Sequence, residues 1–490
     1  MTVAAVSLTG ASSTTVKWDS IKWKNTETEV HRLQLRIAKA VSEGRHGKVK
    51  ALQWLLTHSF QAKLLAVKRV VKNKGGKTPG VDKIVWKTSQ QKMEAAQSLT
   101  RRGYQTQPLR RIYIPKKDGR LRPLSIPAMK CRAMQGLHLL ALAPVAEFYA
   151  DKNSYGFRPK RSTADAIGTC FIALAKKNSA QWIFEADIKS CFDRISHDWL
   201  RENIPMDKEI LSKWLSAGYI DNGALHQTEV GTPQGGLASP TLLVLTLSGL
   251  EKAVHTVINK YTDKVNLSIY ADDFIITGAT KEILEIKVKP AVEIFLKERG
   301  LELSQEKTKI THIDEGFDFL GVNVRKYGGK CIIKPSKKSV KSFLTSIRET
   351  IKSNPTAKTE NLIYLLNPKI RGWTNHFRHS CAKETFSYVD CQIYKALWRW
   401  ACRRHAGKSA SWIKRKYYRS QGLRNWIFFS KSEKSSNEST YVDLFTASSV
   451  AIKRHVKIRA EATPYDPRFI EYFKKRSRNG LKKKQSVKSK

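Results

Sequence analysis

The sequence predicts a mixed α/β body followed by a separate α-helical domain and a basic C-terminal tail, and three observations carry that expectation. WIFEADIKSCF at 182–192 is an aromatic and β-branched strand running into a helix, and LSIYADDFIITG at 267–278 has two apolar arms around a polar centre, the pattern of a tight hairpin. Beyond Pro335 the period changes: Val340, Phe343, Leu344, Ile347 and Ile351 fall at helical spacing, with Lys337, Lys341, Arg348 and Lys352 on other faces. The final residues, KKRSRNGLKKKQSVKSK, have the composition of a tail that is disordered when unbound.

Taken in order, a Ser/Thr-rich leader precedes residues 30–71, where Leu52, Leu55, Leu56 and Leu64 alternate with many lysines and arginines, as in basic amphipathic helices. NKGGKTPGVD at 73–82 breaks them. LRRIYIPKKDGRLRPLSI at 109–126 reads as a basic hairpin turning at Lys117-Asp118-Gly119, and helical character follows from Met129 to Phe148. Further basic amphipathic helices fall around Ile370–Phe377 and Ile393–Trp400, and the pattern weakens after about residue 430.

The formal net charge of +47 exceeds what solubility asks for and is the footprint of a polyanion partner, nucleic acid first. The longest apolar stretches, Leu137–Phe148 and Leu237–Leu250, are interrupted by Pro144 or by Ser and Thr, so neither reads as a membrane span. The N-terminus lacks the basic and apolar regions of a secretory signal, which leads us to expect an intracellular protein. Seven scattered cysteines with no C-x-x-C pair read as reduced thiols rather than a zinc site.

Asp187 on one strand and Asp272-Asp273 at a hairpin tip form the chemically telling set. Phosphoryl transfer from a nucleoside triphosphate uses two divalent ions, and Mg²⁺ needs only a few carboxylates besides water and phosphate oxygens. Adjacent aspartates also serve as turn and capping residues, so the order of the surrounding motifs decides. Asp193, His197 and Asp198 follow closely, and we assign them structural roles, since a helix after Asp187 has room for few inward carboxylates.

In that order stand D-x-x-x-x-F at Asp187–Phe192, PQG at Pro233-Gln234-Gly235 with ASP at Ala238–Pro240, and YADD at Tyr270–Asp273, and together they resemble reverse transcriptases. IPKKDGRLRPLSIP (114–127), NSYGFRPKRST (153–163), GTPQGGLASP (231–240) and GFDFLG (316–321) are similar to blocks of group II intron-encoded proteins. The resemblance runs over roughly residues 30–470. It implies a polymerase right hand: a leader at 1–29, N-terminal extension and fingers at 30–180, palm at 181–330, helical thumb or maturase domain at 335–430, and DNA-binding region with basic tail at 431–490.

It further implies that Asp187, Asp272 and Asp273 hold two Mg²⁺ ions, or Mn²⁺ in their place, and that Phe192 is a steric gate excluding a 2′-hydroxyl. Lys116 and Arg122 would hold triphosphate oxygens, with Lys117 or Arg120 as substitutes in a shifted register, and Gln234 and Gly235 would contact the nucleotide. Phe319, Leu320 and Gly321 would be the primer grip. Arg158, Lys160 and Arg161 would reach template phosphates, and Lys369, Arg371, Arg378, Arg403 and Arg404, in and around LNPKIRGWTNHFRH and LWRWACRRH, would bind RNA.

The implied activity is RNA-directed DNA polymerisation joined to binding of a group II intron RNA, promoting splicing and, through reverse splicing into target DNA, mobility. Deoxynucleoside triphosphates, intron RNA and target DNA are the implied partners, no membrane is among them, and the oligomeric state is open. A bacterial cytoplasmic ribonucleoprotein is implied, with an organellar origin as the alternative. The C-x-x-C pairs of the family's HNH endonuclease are not in the sequence, which leads us to expect a primer from another source, such as a nascent strand at a replication fork. Two other functional classes compete: a splicing-only RNA-binding maturase, which would show eroded carboxylates, and a reverse transcriptase repurposed for defence, which would lack residues resembling 366–405.

Overall fold

The computed structural model describes residues 17–115, 119, 121–259, 261–422, 424–431 and 441–485, with 478–485 as backbone only. Three helices come first, α1 (Trp23–Ser42), α2 (His46–His58) and α3 (Phe60–Lys72). Their apolar stripes, including Ile37, Leu56 and Val67, pack into one core with α4 (Met129–Tyr149), which is buried along most of its length and so carries no polar face. The Gln34 amide donates to the Leu140 carbonyl at 2.8 Å and fixes α1 on α4. The glycine-marked break forms a short 3₁₀ turn at Lys74–Lys77, held by the Arg132 guanidinium donating to the carbonyls of Gly75 and Thr78. Among the described residues no helix is long and apolar enough to cross a membrane.

α5 (Thr163–Leu174) follows α4. The expected basic hairpin forms as β1 (Leu109–Pro115) and β2 (Leu121–Ile126), in register from Arg110 opposite Ile126 to Pro115 opposite Leu121. β3 (Trp182–Asp187) comes next, and then β4 (Tyr219–Asp221) and β5 (Ala224–His226), which widen the hairpin into a sheet ordered β2-β1-β4-β5. β6 (Asn266–Tyr270), β7 (Asp273–Gly278) and β8 (Lys309–His312) surround β3 in an antiparallel sheet ordered β6-β7-β3-β8.

Both faces of this central sheet are covered, which is why β3 and β7 read as apolar runs rather than alternating strands. Phe184, Phe274 and Ile276 point into the core shared with α1–α4. Ile183 and Ile275, one residue out of phase, point into a second core. That second core is built on α5, the sheet of β9 (Phe317–Phe319), β10 (Val322–Tyr327) and β11 (Lys330–Pro335), and the helices α6 (Lys337–Lys352), α7 (Thr359–Phe377) and α8 (Lys383–Arg404). Ser336 caps α6, its hydroxyl accepting from the Ser339 N–H at 3.2 Å. The seven cysteines are free thiols, and burial pushes Cys170 up to about 12.

Two expectations for the C-terminal part change. The region is not helical alone, because β12 (Tyr418–Gln421), β13 (Arg424–Lys431) and β14 (Tyr441–Asp443) form an antiparallel sheet at its end. The tail is not without structure either: α9 (Ile470–Gln485) contains most of its basic run. Residues 447–476 return to α5, where the fully buried Asp165 accepts from His455 Nε2 at 2.8 Å, Ile458 N at 2.8 Å and Arg476 Nη2 at 3.1 Å. Burial alone would raise the Asp165 carboxyl, but the hydrogen bonds from His455, Ser162 and Ile458 hold it at about 2.

Arg158 and Arg161, expected to reach template phosphates, are structural. Arg158 donates to both Glu147 carboxylate oxygens at 2.8 and 3.1 Å and to the Asp151 and Ser154 carbonyls, while Arg161 donates to Glu147 Oε2 at 3.3 Å and to the Ala460 carbonyl. Only 1–3% of these three side chains is exposed, which leaves no surface for a phosphate. Lys160 alone of the cluster is exposed. Glu147→Ala should therefore destabilise the protein by about 3–5 kcal/mol by leaving two buried guanidinium groups without their carboxylate. Urea denaturation within about 1 kcal/mol of wild type would refute that role.

Candidate functional site

Backbone register assembles the site. Asp187, the last residue of β3, pairs with Asp273, the first of β7, and Tyr270 pairs with Asp273 across a two-residue turn of Ala271 and Asp272. Ala271 holds φ +58° at the first turn position, a conformation that glycine usually supplies in tight hairpins. A splint behind the turn maintains it: Tyr155 N donates to the Ile269 carbonyl at 2.8 Å and Ile269 N to the Asn153 carbonyl at 2.9 Å. Gly156 lies so close that a Cβ there would meet Ala271 N at 2.2 Å, so the YGF step of 155–157 tolerates only glycine at its centre.

After β3 the chain turns at Ser190, φ +46°, and brings Phe192 back beside the carboxylates. Phe192 meets Phe157 edge to face with centroids 6.2 Å apart. The PQG loop is stitched to both neighbours, Thr232 N donating to the Phe192 carbonyl at 2.6 Å and Ser125 N of β2 to the Gln234 carbonyl at 2.7 Å. Gly235 has φ +118°, and a Cβ on it would lie 2.7 Å from the Ser125 oxygen. Around these elements opens a cleft of about 1230 Å³ whose walls include Arg122, Phe157, Asp187, Phe192, Gln234, Asp272 and Lys307.

The charge of this cleft is unbalanced. Lys307 Nζ sits 2.6 Å from Asp187 Oδ2, and that bond raises the Lys307 pKa. Loss of hydration, followed by the Asp187 charge, raises the Asp272 carboxyl, while Lys307 and Arg122 pull it back. Loss of hydration, and then the charges of Asp272 and Asp187, push Asp273 up to about 7, although the residue keeps open surface at the hairpin tip. One ammonium bonded to Asp187, with Asp272 and Asp273 acting on it only through their charge, leaves an excess of hard oxygen donors, which fits a divalent cation. Among the described residues no group of three or more His, Cys, Asp or Glu side chains is placed to hold a metal ion together. Asp187 and Asp272 line the cleft and Asp273 does not. The expected trio is thus two cleft carboxylates with a third beside them.

The other expected residues divide. Arg122, Phe192 and Gln234 line the cleft, and Gly235 holds the loop beneath them. Lys116 lies outside the described residues, as do Lys117 and Arg120. Phe319 is 4% exposed and belongs to the second core. Leu320 and Gly321, φ +50° and +85°, form the β9–β10 turn against Phe377 of α7 and do not line the cleft. Lys369 binds the Ser346 and Thr350 hydroxyls on α6, Arg371 covers the Phe445 ring at 4.9 Å, and Arg378 is half-buried beside Asn375. Arg403 and Arg404 face a different cavity.

His197 is structural as expected, its Nε2 2.7 Å from the Gly231 carbonyl. Asp193 departs from expectation: it lines the cleft and accepts from Gln234 Nε2 at 3.1 Å, orienting that amide. Lys307 is a site residue that sequence reasoning missed. Its only signal was a lysine in QEKTK just before an apolar strand, and its role became visible when β8 paired beside β3.

Comparison with known proteins places matches along most of the chain. The family described as reverse transcriptase (RNA-dependent DNA polymerase) matches residues 114–324, the N-terminal domain of reverse transcriptase residues 18–99, and the group II intron maturase-specific domain residues 340–418. Protein YkfC of Escherichia coli K12 is 32% identical over 300 residues, covering 52% of this chain and 78% of that protein. Group II intron-encoded protein LtrA of Lactococcus lactis is 31% identical over 329 residues, 53% of this chain and 54% of LtrA. The putative COX1/OXI3 intron 1 protein of Saccharomyces cerevisiae is 27% identical over 370 residues, 64% of this chain and 42% of that protein. The chain thus spans about half the length of the intron-encoded relatives it matches.

The charge imbalance can be tested without substrate. Because the Asp273 pKa is raised from 3.8 to about 7 on folding, its contribution is favourable at low pH and is lost as pH rises between those values. Asp273→Asn should remove that loss, so that in EDTA its melting temperature exceeds wild type at pH 8 by more than at pH 5. Thermal melts with the same difference at both pH values would contradict the charge argument.

Proposed function

The chain belongs to the group II intron-encoded reverse transcriptase and maturase family, and from that premise we propose that it copies RNA into DNA at the Asp187–Asp272 cleft and binds an intron RNA to promote its splicing. The observation that carries the polymerase reading is the β3–β7 register with the β6–β7 turn beside it, which together bring Asp187 and Asp272 to the wall of a cleft of about 1230 Å³. The central sheet would be the palm, the β1–β2 hairpin and α1–α5 the fingers with their N-terminal extension, and α6–α8 the thumb.

In this reaction the primer 3′-oxygen attacks the α-phosphorus of a deoxynucleoside triphosphate, and the bond to the β-phosphate breaks to release pyrophosphate. Two Mg²⁺ ions, or Mn²⁺, held by Asp187 and Asp272 with Asp273 adjoining, would polarise the 3′-hydroxyl and neutralise charge on the leaving group. Arg122, across the cleft from the aspartates, would take triphosphate oxygens with its forked donors. Lys307 would shift from Asp187 toward the phosphates once a stronger cation occupies that carboxylate. Phe192, held by Phe157 and by the Thr232 hydrogen bond, would press against the sugar where a 2′-hydroxyl would stand. Gln234, oriented by Asp193, would contact the nucleotide from the opposite wall.

RNA binding would fall to the N-terminal helices and to the helical region matched at 340–418, supported by a net charge of +47. Through that RNA the protein would reach a DNA target by reverse splicing, with the C-terminal region on the DNA.

The deciding experiment is to purify the protein, sequence the RNA that accompanies it, and extend a DNA primer on an RNA template with Mg²⁺. Asp187→Ala and Asp272→Ala should each reduce extension to background while RNA still co-purifies. Phe192→Ala should admit ribonucleotides about tenfold more readily. Full-length extension by Asp272→Ala would sink the assignment.

A further inference from the structure

α6 and α8 enclose a second cavity, of about 540 Å³, that belongs neither to the aspartate cleft nor to the buried cores. Its lining follows from helical spacing: Gln392, Lys395, Arg399 and Arg403 recur every three or four residues on α8, and Arg348 and Lys352 lie four apart on α6. With Arg404, six cations ring the cavity and no carboxylate lines it. Such crowding of like charge, with no carboxylate among it, is compensated by an anionic ligand.

The interior differs from a surface that only touches phosphates. Its floor includes Ile351 and Trp400, which is 6% exposed and anchored by Nε1 donating to the Asn354 carbonyl at 2.9 Å. The Arg404 guanidinium covers the Trp400 ring at 5.2 Å and is fixed by donating to the Ala357 carbonyl at 2.6 Å. Arg348 Nη2 donates to Gln392 Oε1 at 3.0 Å, which orients that amide, and its NH₂ makes no hydrogen bond among the described residues. A cation rim, the Arg404 guanidinium plane lying on the buried Trp400 ring, and one oriented amide correspond to the phosphate, the flat face and the hydrogen-bonding edge of one nucleotide. The volume lies within the roughly 300–1,000 Å³ of enclosed small-ligand sites. Paired bases in a duplex cannot enter such a hollow, whereas an unstacked base can.

We propose that the hollow between α6 and α8 seats a single unstacked nucleotide, such as a bulge, of the RNA partner. The proposal rests on the RNA-binding reading given above and adds what that surface recognises: one extruded nucleotide rather than a run of phosphates.

The test uses the full chain and fluorescence anisotropy with a labelled RNA hairpin carrying one bulged nucleotide, its fully paired counterpart, and a DNA hairpin with the same bulge. Wild type should bind the bulged RNA about fivefold or more tightly than the paired RNA. Gln392→Ala with Arg399→Ala should erase that preference with no loss of melting temperature. Lys338→Ala with Lys341→Ala, two exposed α6 lysines outside the cavity, should weaken both RNAs equally and keep the preference. No preference in wild type, or one that survives Gln392→Ala with Arg399→Ala, overturns the proposal, and an equal preference for bulged DNA overturns the assignment to RNA. Primer extension reads the polymerase separately, so its failure would leave this result standing.

Discussion

Everything at the cleft depends on the antiparallel ladder between β3 and β7. Its register puts Asp187 opposite Asp273, and the turn that follows from it puts Asp272 beside them, so backbone hydrogen bonds hold together carboxylates that repel one another. The ladder withstands this because it is clamped from both sides. Phe184 and Phe274 are buried in the core of the N-terminal helices, Ile183 and Ile275 in that of the C-terminal half, and stability supplied by these cores offsets strain concentrated at the strand ends.

The same clamp explains why the neighbouring loops are so constrained in residue type. Gly156 must let the chain pass against Ala271, and Gly235 must let the PQG loop lie against β2, because the hairpin tip and the loop define opposite sides of one cleft. Rigid walls suit a reaction in which reacting atoms are positioned and charge is stabilised more than bonds are made by the protein. Phe192, Arg122 and Gln234 all sit on segments tied by main-chain hydrogen bonds rather than on free loops.

Much of this was legible in the sequence because it was local. The YADD hairpin, the strand ending at Asp187, the basic hairpin at 109–126 and the amphipathic helices announce themselves through periodicity and turn residues within short windows. What stayed hidden was long-range. Glu147 reaches Arg158 and Arg161 from the preceding helix and turns a phosphate-like cluster into a buried ion-pair network. Lys307 meets Asp187 from 120 residues away, and Phe319, plausible as a contact residue by motif, is consumed by a core that its own triplet does not reveal. The β12–β14 sheet was missed because its strands are short and lie in a stretch of weak pattern.

The closure of the C-terminal segment on α5 has a consequence in time. Asp165 finds His455 only after 290 further residues have been added to the growing chain. At about 5–20 residues per second, a ribosome exposes α5 for roughly 15–60 s before its partner can arrive. During that interval a carboxylate destined for full burial must stay hydrated, and α5 cannot settle into its final packing. This corner of the molecule is therefore completed last, and the order of synthesis makes the docking of residues 455–476 a late event in maturation.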